Sequence, residues 1–463
     1  MSMSQIDLDS LHFRDAPKIV GNVPGQKSAE ILERQRRFEG KAVSYSVGIP
    51  VVFAKAKGAT LLDVDGNIYI DFFGGAAVLG AGHSNPVVMK AIRDQEEQMV
   101  HSLDLATEVR EKLSEKLVQL APGKLRNNAK VLFGGPTGSD AVEAAIKLAK
   151  YNTKAHTLIA FEGGYHGMTG NALSVTADTA FRKDYMPMGQ QVHFLPYSYC
   201  YRCPFGLKHP GCGTVCATYS EHVLDDPSSG ICDVAGIIVE PVQGEGGSIV
   251  PKKEFITKID EIAKKNSIPL ISDEIQSGMG RTGKMFASDL MGISPDIVTV
   301  SKALGGGTGY PLSAILYRKD YDTWGPGAHI GTFRGFLPAM AGGIAYLDFL
   351  KDNNILEHVT ELGKHMLKRL MEFEESFDIV GEARGVGFML GFELIKDKSS
   401  KTPSSEFAKK LRSEAVRRGV IIEVGGHFHN VARILPPLVL TRELADRGLD
   451  ALEDALTEIK KNE

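Results

Sequence analysis

The chain has 463 residues, which is long enough for two or three domains with a large buried core. Apolar residues make up 43% and charged residues 24%, a balance that argues against disorder. With 53 Lys and Arg against 57 Asp and Glu, the formal charge of −4 gives no basic surplus for nucleic acid. The N-terminus lacks a basic segment followed by an apolar one, and no run of about 18 apolar residues occurs. We therefore expect a cytoplasmic protein with no membrane span.

The predicted elements divide the chain into three segments. Residues 1–75 predict an N-terminal arm and part of a small domain, with short strands joined by a turn at Asp65-Gly66. Residues 76–335 predict a large domain, because apolar runs of strand length alternate there with helical stretches. Residues 336–463 predict the rest of the small domain, which is rich in helices. The strand-like runs of the large domain are 130–133, 157–161, 192–195, 236–239, 269–272 and 297–300.

Continuous apolar strands separated by helices predict an α/β fold with a mostly parallel sheet covered by helices on both faces. The remaining segments predict a smaller α+β domain built from both chain ends. In a parallel sheet, the loops that follow the carboxyl ends of the strands build the ligand site. We therefore expect the chemistry directly after these runs.

Two of these loops have features of a binding site. After the run 130–133, a Gly-rich turn leads into an Ala-rich helix, and the free N–H groups of Gly138 and Ser139 can bind an anion. The turn is neither a Walker loop nor a complete GxGxxG, so alone it is a weak signal. After the run 157–161, Tyr165 and His166 follow, and an aromatic ring can stack there on a flat cofactor. The alternative is an ordinary aromatic residue at the edge of the core.

Two further loops carry charged residues. Asp273 ends the run 269–272, and a buried carboxylate is costly unless it meets a cation such as a protonated pyridine nitrogen. Lys302 follows the run 297–300, where desolvation lowers the pKa of an amine and makes it a better nucleophile. Each has a simple alternative, a helix-capping Asp and a surface Lys. Together, the anion site, the aromatic ring, the acid and the lysine match the needs of pyridoxal 5′-phosphate (PLP).

The motifs that carry these residues resemble those of the class III aminotransferases, which have the type I PLP-enzyme fold. The resemblance extends from about residue 48 to the C-terminus. It rests on eight ordered motifs: LLDVDGNIYIDF, GPTGSDAVEAAIKLAK, YHGMTG, IIVEPVQGEGG, SDEIQSGMGRTG, VTVSKALGGG, GTFRG and ARILPPL. It implies an enzyme acting on small amino and keto acids, as a homodimer or a dimer of dimers.

The resemblance also implies roles for the cofactor-binding residues. Lys302 would form the Schiff base with PLP and move the proton during catalysis. Asp273 would pair with the pyridine nitrogen, and Gln276 would hydrogen-bond the ring hydroxyl. Tyr165 would stack on the ring. The remaining implied contacts are His166 beside the cofactor, and Gly138, Ser139 and the neighbouring subunit's Thr332 around the phosphate.

For the substrate, the resemblance implies that Arg433 clamps an α-carboxylate in bidentate geometry. Glu240 would lie near the substrate and help to choose which end of an amino acid binds, by screening Arg433 when a terminal amine approaches the cofactor. Within the class, the motifs are most similar to those of 2,4-diaminobutyrate–2-oxoglutarate aminotransferases. Met168 stands where ornithine and 4-aminobutyrate enzymes often carry an Arg, and Phe336 stands where diaminobutyrate enzymes usually carry an Asn. Amino-acid racemases and epimerases share the fold and nearly all these residues, and they remain the alternative.

Four of the five cysteines cluster as Cys200, Cys203, Cys212 and Cys216. Four thiols with a CxxC pair can hold a tetrahedral zinc ion, so the spacing predicts a possible structural zinc site. The alternative is four free or packed thiols in an insertion. A disulfide framework is not expected in the cytoplasm, where thiols stay reduced.

Overall fold

The computed structural model describes residues 6–461 of the chain, and the elements below lie within that range. The strands are β1 (Phe53–Lys57), β2 (Thr60–Asp63), β3 (Ile68–Asp71), β4 (Ala129–Phe133), β5 (Thr157–Phe161), β6 (Val192–Leu195), β7 (Val234–Val239), β8 (Leu270–Asp273), β9 (Ile297–Val300), β10 (Ala314–Arg318), β11 (Val380–Val386), β12 (Met389–Leu394), β13 (Val420–Ile421), β14 (Glu423–Gly425) and β15 (Val431–Ile434). 

The helices are α1 (Gln26–Gln35), α2 (Tyr45–Gly48), α3 (Gly74–Ala77), α4 (Pro86–Glu96), α5 (Glu108–Leu120), α6 (Gly138–Thr153), α7 (Gly170–Val175), α8 (Thr179–Arg182), α9 (Val215–Asp225), α10 (Lys253–Lys265), α11 (Ala287–Met291), α12 (Leu337–Asp352), α13 (Ile355–Ser376), α14 (Ser405–Arg417) and α15 (Arg442–Lys461).

A seven-stranded sheet forms the centre of the large domain, in the order β4-β10-β9-β8-β7-β5-β6. Strands β9, β8, β7, β5 and β6 run parallel, and β10 runs antiparallel to both β4 and β9. The predicted mostly parallel sheet is therefore confirmed. The sequence prediction omitted β10, although its segment AILYR is as apolar as the neighbouring strands.

Helices cover both faces of this sheet. Successive residues of a strand point to opposite faces, so neighbouring residues belong to two different cores. The core shared with α6 contains Leu158, Ile238 and Ile271, and the core shared with α10 contains Ile159, Ile237 and Leu270. Helix α6 is rich in alanine and begins with a capping box, in which Thr137 and Asp140 satisfy each other's backbone groups. This cap fixes where the helix starts at the sheet edge.

The smaller part of the molecule combines both chain ends. Strand β13 pairs in parallel with β3, so Val420 lies opposite Ile70 in the sheet β1-β2-β3-β13. A second, antiparallel sheet has the order β11-β12-β15-β14. The predicted α+β domain from both chain ends is confirmed. Helix α12 follows the predicted boundary at 335 but packs against α4 and α5, and the division at 75 and 335 remains a prediction.

Among residues 6–461, no helix combines the length and apolar character that crossing a membrane requires.

Candidate active site

A cavity of about 620 Å³ lies at the carboxyl edge of the central sheet. Its walls bring together nine of the ten non-cysteine residues that the sequence selected: Gly138, Ser139, Tyr165, His166, Glu240, Asp273, Gln276, Lys302 and Arg433. The tenth, Thr332, is exposed and is not part of this wall. The loops after β4, β5, β7, β8 and β9 therefore meet at one site, as parallel strands require.

The turn before α6 presents free backbone donors to the cavity. The hydroxyl and the backbone N–H of Thr137 donate to Asp140 Oδ2 at 2.8 and 2.9 Å, which fixes the first helical turn. The N–H groups of Gly138 and Ser139 belong to that turn and have no partner within the helix. A Cβ on Gly138 would lie 2.9 Å from Ile275 Cδ1, so a side chain there would crowd the wall. The turn can accept a phosphate.

Asp273 is held by three donors at the end of β8. The Nδ1 atom of His166 lies 2.7 Å from Oδ2, and the hydroxyl of Thr299 donates to Oδ1 at 2.9 Å. The backbone N–H of Ile275 also donates to Oδ1, at 3.1 Å. Asp273 is 3% exposed and His166 is 2% exposed, so both are out of contact with bulk solvent. The carboxylate is fixed in one orientation toward the cavity.

Lys302 begins a 3-10 helix, Lys302–Gly305, directly after β9. Its φ angle of +48° is in the left-handed region, which costs energy for a residue with a side chain. Burial lowers the pKa of its amine to about 8, and the nearby positive charge of Arg433 adds to this effect. About a tenth of this amine is uncharged at pH 7, and only the uncharged amine is a nucleophile.

Among the polar atoms that are buried at the cavity without a partner among the described residues, two belong to the loops after β5 and β8. They are Oε1 of Gln276 and Nε2 of His166. A Cβ on Gly244 would lie 1.9 Å from Gln276 Oε1, so only glycine fits beside this amide. Unpaired buried polar atoms are costly, and they indicate a polar ligand group.

Tyr165 lies half-buried on the cavity wall, with its ring 5.7 Å from that of Phe181 in an edge-to-face arrangement. This leaves a ring that can contact a flat ligand. Burial raises the pKa of its hydroxyl, so the phenol stays neutral.

The carboxylate beside Arg433 comes from Glu245, a residue that the sequence analysis did not select. Glu245 Oε2 lies 2.8 Å from Arg433 Nη1, and the Arg433 side chain is only 2% exposed. The Nε atom of Arg433 has no partner among the described residues. A Cβ on Gly425 would lie 2.6 Å from this Nε, so glycine leaves the space that Arg433 occupies.

Glu240 lines the same cavity as Arg433, and backbone groups of two loops donate to it. Its carboxylate accepts the backbone N–H groups of Tyr165 and Gly244, both at 2.9 Å. Burial raises the pKa of Glu240 to about 7. Glu240 thus joins the loops that carry Tyr165 and Glu245. The motif EPVQGEGG contained both carboxylates, and its second one was the signal for Glu245.

The cysteine cluster does not form the predicted zinc site. Within residues 6–461, which include all five cysteines, no group of three or more Cys, His, Asp or Glu side chains is placed to hold a metal ion. Burial raises the pKa of the Cys216 thiol to about 11, which disfavours the thiolate that a metal needs. The insertion is instead attached to the small domain by Tyr199 and Arg202, which donate to the buried Glu393.

Comparison with known proteins agrees with this site. The family model described as Aminotransferase class-III matches residues 42–456. The diaminobutyrate–2-oxoglutarate aminotransferase of Rhizobium meliloti (strain 1021) is 40% identical over 93% of this chain and 92% of its own length. The leucine/methionine racemase of Thermococcus litoralis is 36% identical over 94% of this chain and 97% of its own length. An amine transaminase structure from an uncultivated Pseudomonas species, with PLP bound, has a TM-score of 0.82 and 28% identity over 91% of this chain and 98% of its own.

The chain belongs to the class III aminotransferases. It is a PLP-dependent transaminase, and the cavity fits that cofactor. The first turn of α6 suits the phosphate, Asp273 suits the pyridine nitrogen, and the unpaired Gln276 Oε1 suits the ring hydroxyl. Lys302 would supply the amine that links to the aldehyde.

Proposed function

We propose that this transaminase moves the terminal amino group of a short diamino acid, such as 2,4-diaminobutyrate, to 2-oxoglutarate. The observation that carries the proposal is the ion pair between Arg433 and Glu245, at 2.8 Å in the wall of the cavity that contains Lys302. The similarity to diaminobutyrate–2-oxoglutarate aminotransferases, at 36% and 40% identity for two of them, supports it.

The ion pair suits two different substrates. When 2-oxoglutarate enters, Arg433 can leave Glu245, which is partly exposed at 32%, and bind the α-carboxylate with two of its guanidinium nitrogens. When the donor enters by its terminal amine, no carboxylate is beside the reacting carbon, and Glu245 neutralises Arg433. The sequence analysis gave this screening role to Glu240, and the geometry favours Glu245.

The other residues of the site act on position and protons. PLP, when bound, stabilises negative charge on the substrate carbon next to the nitrogen. Asp273 would hold the positive charge of the pyridine nitrogen, with His166 and Thr299 fixing its direction. The amine of Lys302 would take the proton from that carbon and return it to the cofactor side.

Met168 favours a donor that does not need its distal carboxylate bound at this position of the cavity. Its side chain lines the cavity and is 44% exposed, so the wall there is apolar. Ornithine and 4-aminobutyrate enzymes often carry an Arg at this position, and this chain does not. The remote end of the substrate needs another partner.

Racemisation of a neutral amino acid is the second candidate, because the Thermococcus litoralis relative is a leucine/methionine racemase. One experiment separates the two functions. Diamino acids, 4-aminobutyrate and neutral L-amino acids are each incubated with and without 2-oxoglutarate, and products are resolved on a chiral column. Glutamate from diaminobutyrate supports the transaminase. A D-amino acid formed without any keto acid would overturn it.

A homodimer and a cytoplasmic location complete the proposal. Thr332 lies among exposed apolar side chains, here called the Thr332 patch: Met99, Val100, Leu103, Ile330 and Phe333. Exposed apolar surface of this kind marks interfaces, and a two-fold axis would bring Thr332 to the cavity of the neighbouring subunit. All five cysteines are free, which agrees with a reducing compartment.

A further inference from the structure

A second arginine–glutamate pair lies in the same cavity wall. Arg412 on α14 donates to Glu423 on β14, with Nη1 2.9 Å from Oε1. In the register of β14 and β15, Glu423 lies directly opposite Arg433. The cavity therefore presents two such pairs next to each other, and the first pair already has a proposed role.

The second pair has unused hydrogen-bonding capacity. The Nε atom of Arg412 and the Oε2 atom of Glu423 are both buried, and neither has a partner among the described residues. Glu423 is 5% exposed, and its other oxygen already accepts the N–H of Val424 at 2.8 Å. An unpaired donor beside an unpaired acceptor is costly unless a ligand supplies the opposite groups.

We propose that Arg412 and Glu423 bind the remote amino-acid head of the diamino donor, with Arg412 on its α-carboxylate and Glu423 on its α-ammonium. The inference rests on the proposed function and names the partner that Met168 does not provide. A zwitterionic head carries one acceptor group and one donor group on adjacent atoms. The pair offers the matching donor and acceptor, and such charge-assisted contacts are the strong ones.

The spacing between the reacting carbon and the remote carboxylate is the same in the two substrates, which supports a single site for that carboxylate. In 2,4-diaminobutyrate, three bonds separate the reacting terminal carbon from the carboxylate carbon. In 2-oxoglutarate, three bonds also separate the keto carbon from the distal carboxylate carbon. Arg412 can therefore hold the remote carboxylate in both half-reactions from one fixed position. Glu423 finds an ammonium only in the diamino acid, so it distinguishes this donor from 4-aminobutyrate.

A purely structural ion pair is the competing explanation. Arg412 packs closely against α2, where a Cβ on Gly48 would lie 2.3 Å from its guanidinium carbon. The pair could thus only connect α14 to the cavity edge. A structural role would affect every donor equally, whereas a binding role would affect donors according to their remote groups. The comparison of donors within one variant separates the two.

The test measures the first half-reaction of the holoenzyme by the loss of the cofactor's absorption band. The donors are 2,4-diaminobutyrate and 4-aminobutyrate, which share the remote carboxylate and differ in the ammonium. For Glu423→Gln, we expect kcat/KM to fall about tenfold with diaminobutyrate and by less than about threefold with 4-aminobutyrate, as for the loss of one charge-assisted contact. For Arg412→Gln, we expect kcat/KM to fall about tenfold with both donors and in the return half-reaction with 2-oxoglutarate.

The matched control is Arg417→Gln, since Arg417 is on the same helix and pairs with Glu414 away from the cavity. This variant should have the same kcat/KM as wild type for all three substrates. Equal losses for both donors in Glu423→Gln, or no loss, overturn the inference while the proposed function stands. A wild-type enzyme that does not react with diaminobutyrate overturns both. In Glu423→Gln, the reaction with 4-aminobutyrate reports whether the active site is still folded. In Arg412→Gln, where both donors are affected, the absorption band of the linked cofactor reports it.

Discussion

His166 Nδ1 and Asp273 Oδ2 are 2.7 Å apart, and both side chains are almost completely shielded from solvent. A carboxylate oxygen accepts, so Nδ1 of His166 carries a proton and donates it to Asp273. The imidazole therefore fixes the orientation of the Asp273 carboxylate. The sequence suggested that His166 contacts the cofactor, and its position favours an action through Asp273.

Asp273→Asn should keep PLP bound but slow proton removal by about 10²-fold or more, since the pyridine nitrogen loses its anion and the ring becomes a weaker electron sink. His166→Gln should have a smaller effect, because Thr299 and the N–H of Ile275 still hold the carboxylate. Stopped-flow absorption of the first half-reaction measures both. A rate for Asp273→Asn equal to that of wild type would refute this role.

Lys302→Ala should lose the absorption band of the linked cofactor and nearly all turnover, because Lys302 supplies the amine that lines the cavity. Lys284→Ala is the matched control, since Lys284 is an exposed residue outside the cavity wall. Full activity of Lys302→Ala would contradict the central assignment.

The rate at which PLP relinks to the apoenzyme should depend on pH through Lys302. Burial lowers the pKa of this amine to about 8, and only the neutral amine attacks the aldehyde. The rate should rise by about tenfold per pH unit below pH 8 and level off above it. A rate that keeps rising toward pH 10 would show that Lys302 has the pKa of an ordinary exposed lysine.

The sequence predicted much of the site because strand order in a parallel sheet gathers the loops at one edge. Gly138, Tyr165, Asp273 and Lys302 are far apart in the chain, yet each follows a recognisable strand. The expected α/β architecture was sufficient to predict that they meet.

The contacts within the site could not be predicted in the same way. Glu240 and Glu245 lie in one motif, and only the backbone turn between them determines which carboxylate points at Arg433. Arg412 is on a helix of the small domain, so its position depends on how the two domains pack. The cysteine spacing was compatible with zinc, but spacing alone does not fix how the four thiols are arranged.

Glu245→Gln and Glu240→Gln should give different phenotypes. In Glu245→Gln, Arg433 loses its internal carboxylate, so KM for 2-oxoglutarate should fall, and the diamino donor should react about tenfold more slowly. In Glu240→Gln, one backbone N–H loses its acceptor, so thermal stability should fall. The ratio of kcat/KM for the diamino donor to kcat/KM for 2-oxoglutarate should change little. Steady-state kinetics and thermal unfolding measure both. A substrate-selective effect of Glu240→Gln instead would restore the sequence-based assignment.

His12 should make stability depend on pH. Its Nδ1 accepts the N–H of Ala59 at 2.9 Å, so Nε2 carries the proton and donates to Val439 O at 3.0 Å. Burial lowers the pKa of His12 from 6.5 to about 4. The folded pKa is lower than the unfolded one, so stability is lost as pH falls from 6.5 toward 4, by about 2 kcal/mol at pH 5. The difference in the free energy of unfolding between wild type and His12→Gln should decrease by that amount between pH 7.5 and pH 5. If the two proteins lose stability in parallel over this range, His12 does not cause the pH dependence.

The placement of Thr332 predicts that two defective chains restore each other's function. Thr332 is exposed, and its segment is held by backbone hydrogen bonds such as Ser102 N–H to Gly335 O at 3.0 Å. Thr332→Ala should weaken PLP binding about tenfold by removing one phosphate contact.

In a mixed dimer of Thr332→Ala and Lys302→Ala chains, one site receives Lys302 from the first chain and Thr332 from the second. That site is intact, so refolding the two variants together should restore activity at limiting PLP, up to about a quarter of wild type when half of the dimers are mixed. Each variant refolded alone is the control. Activity no greater than the mean of the two controls, or an active monomer in sedimentation, would show that the site is complete within one chain.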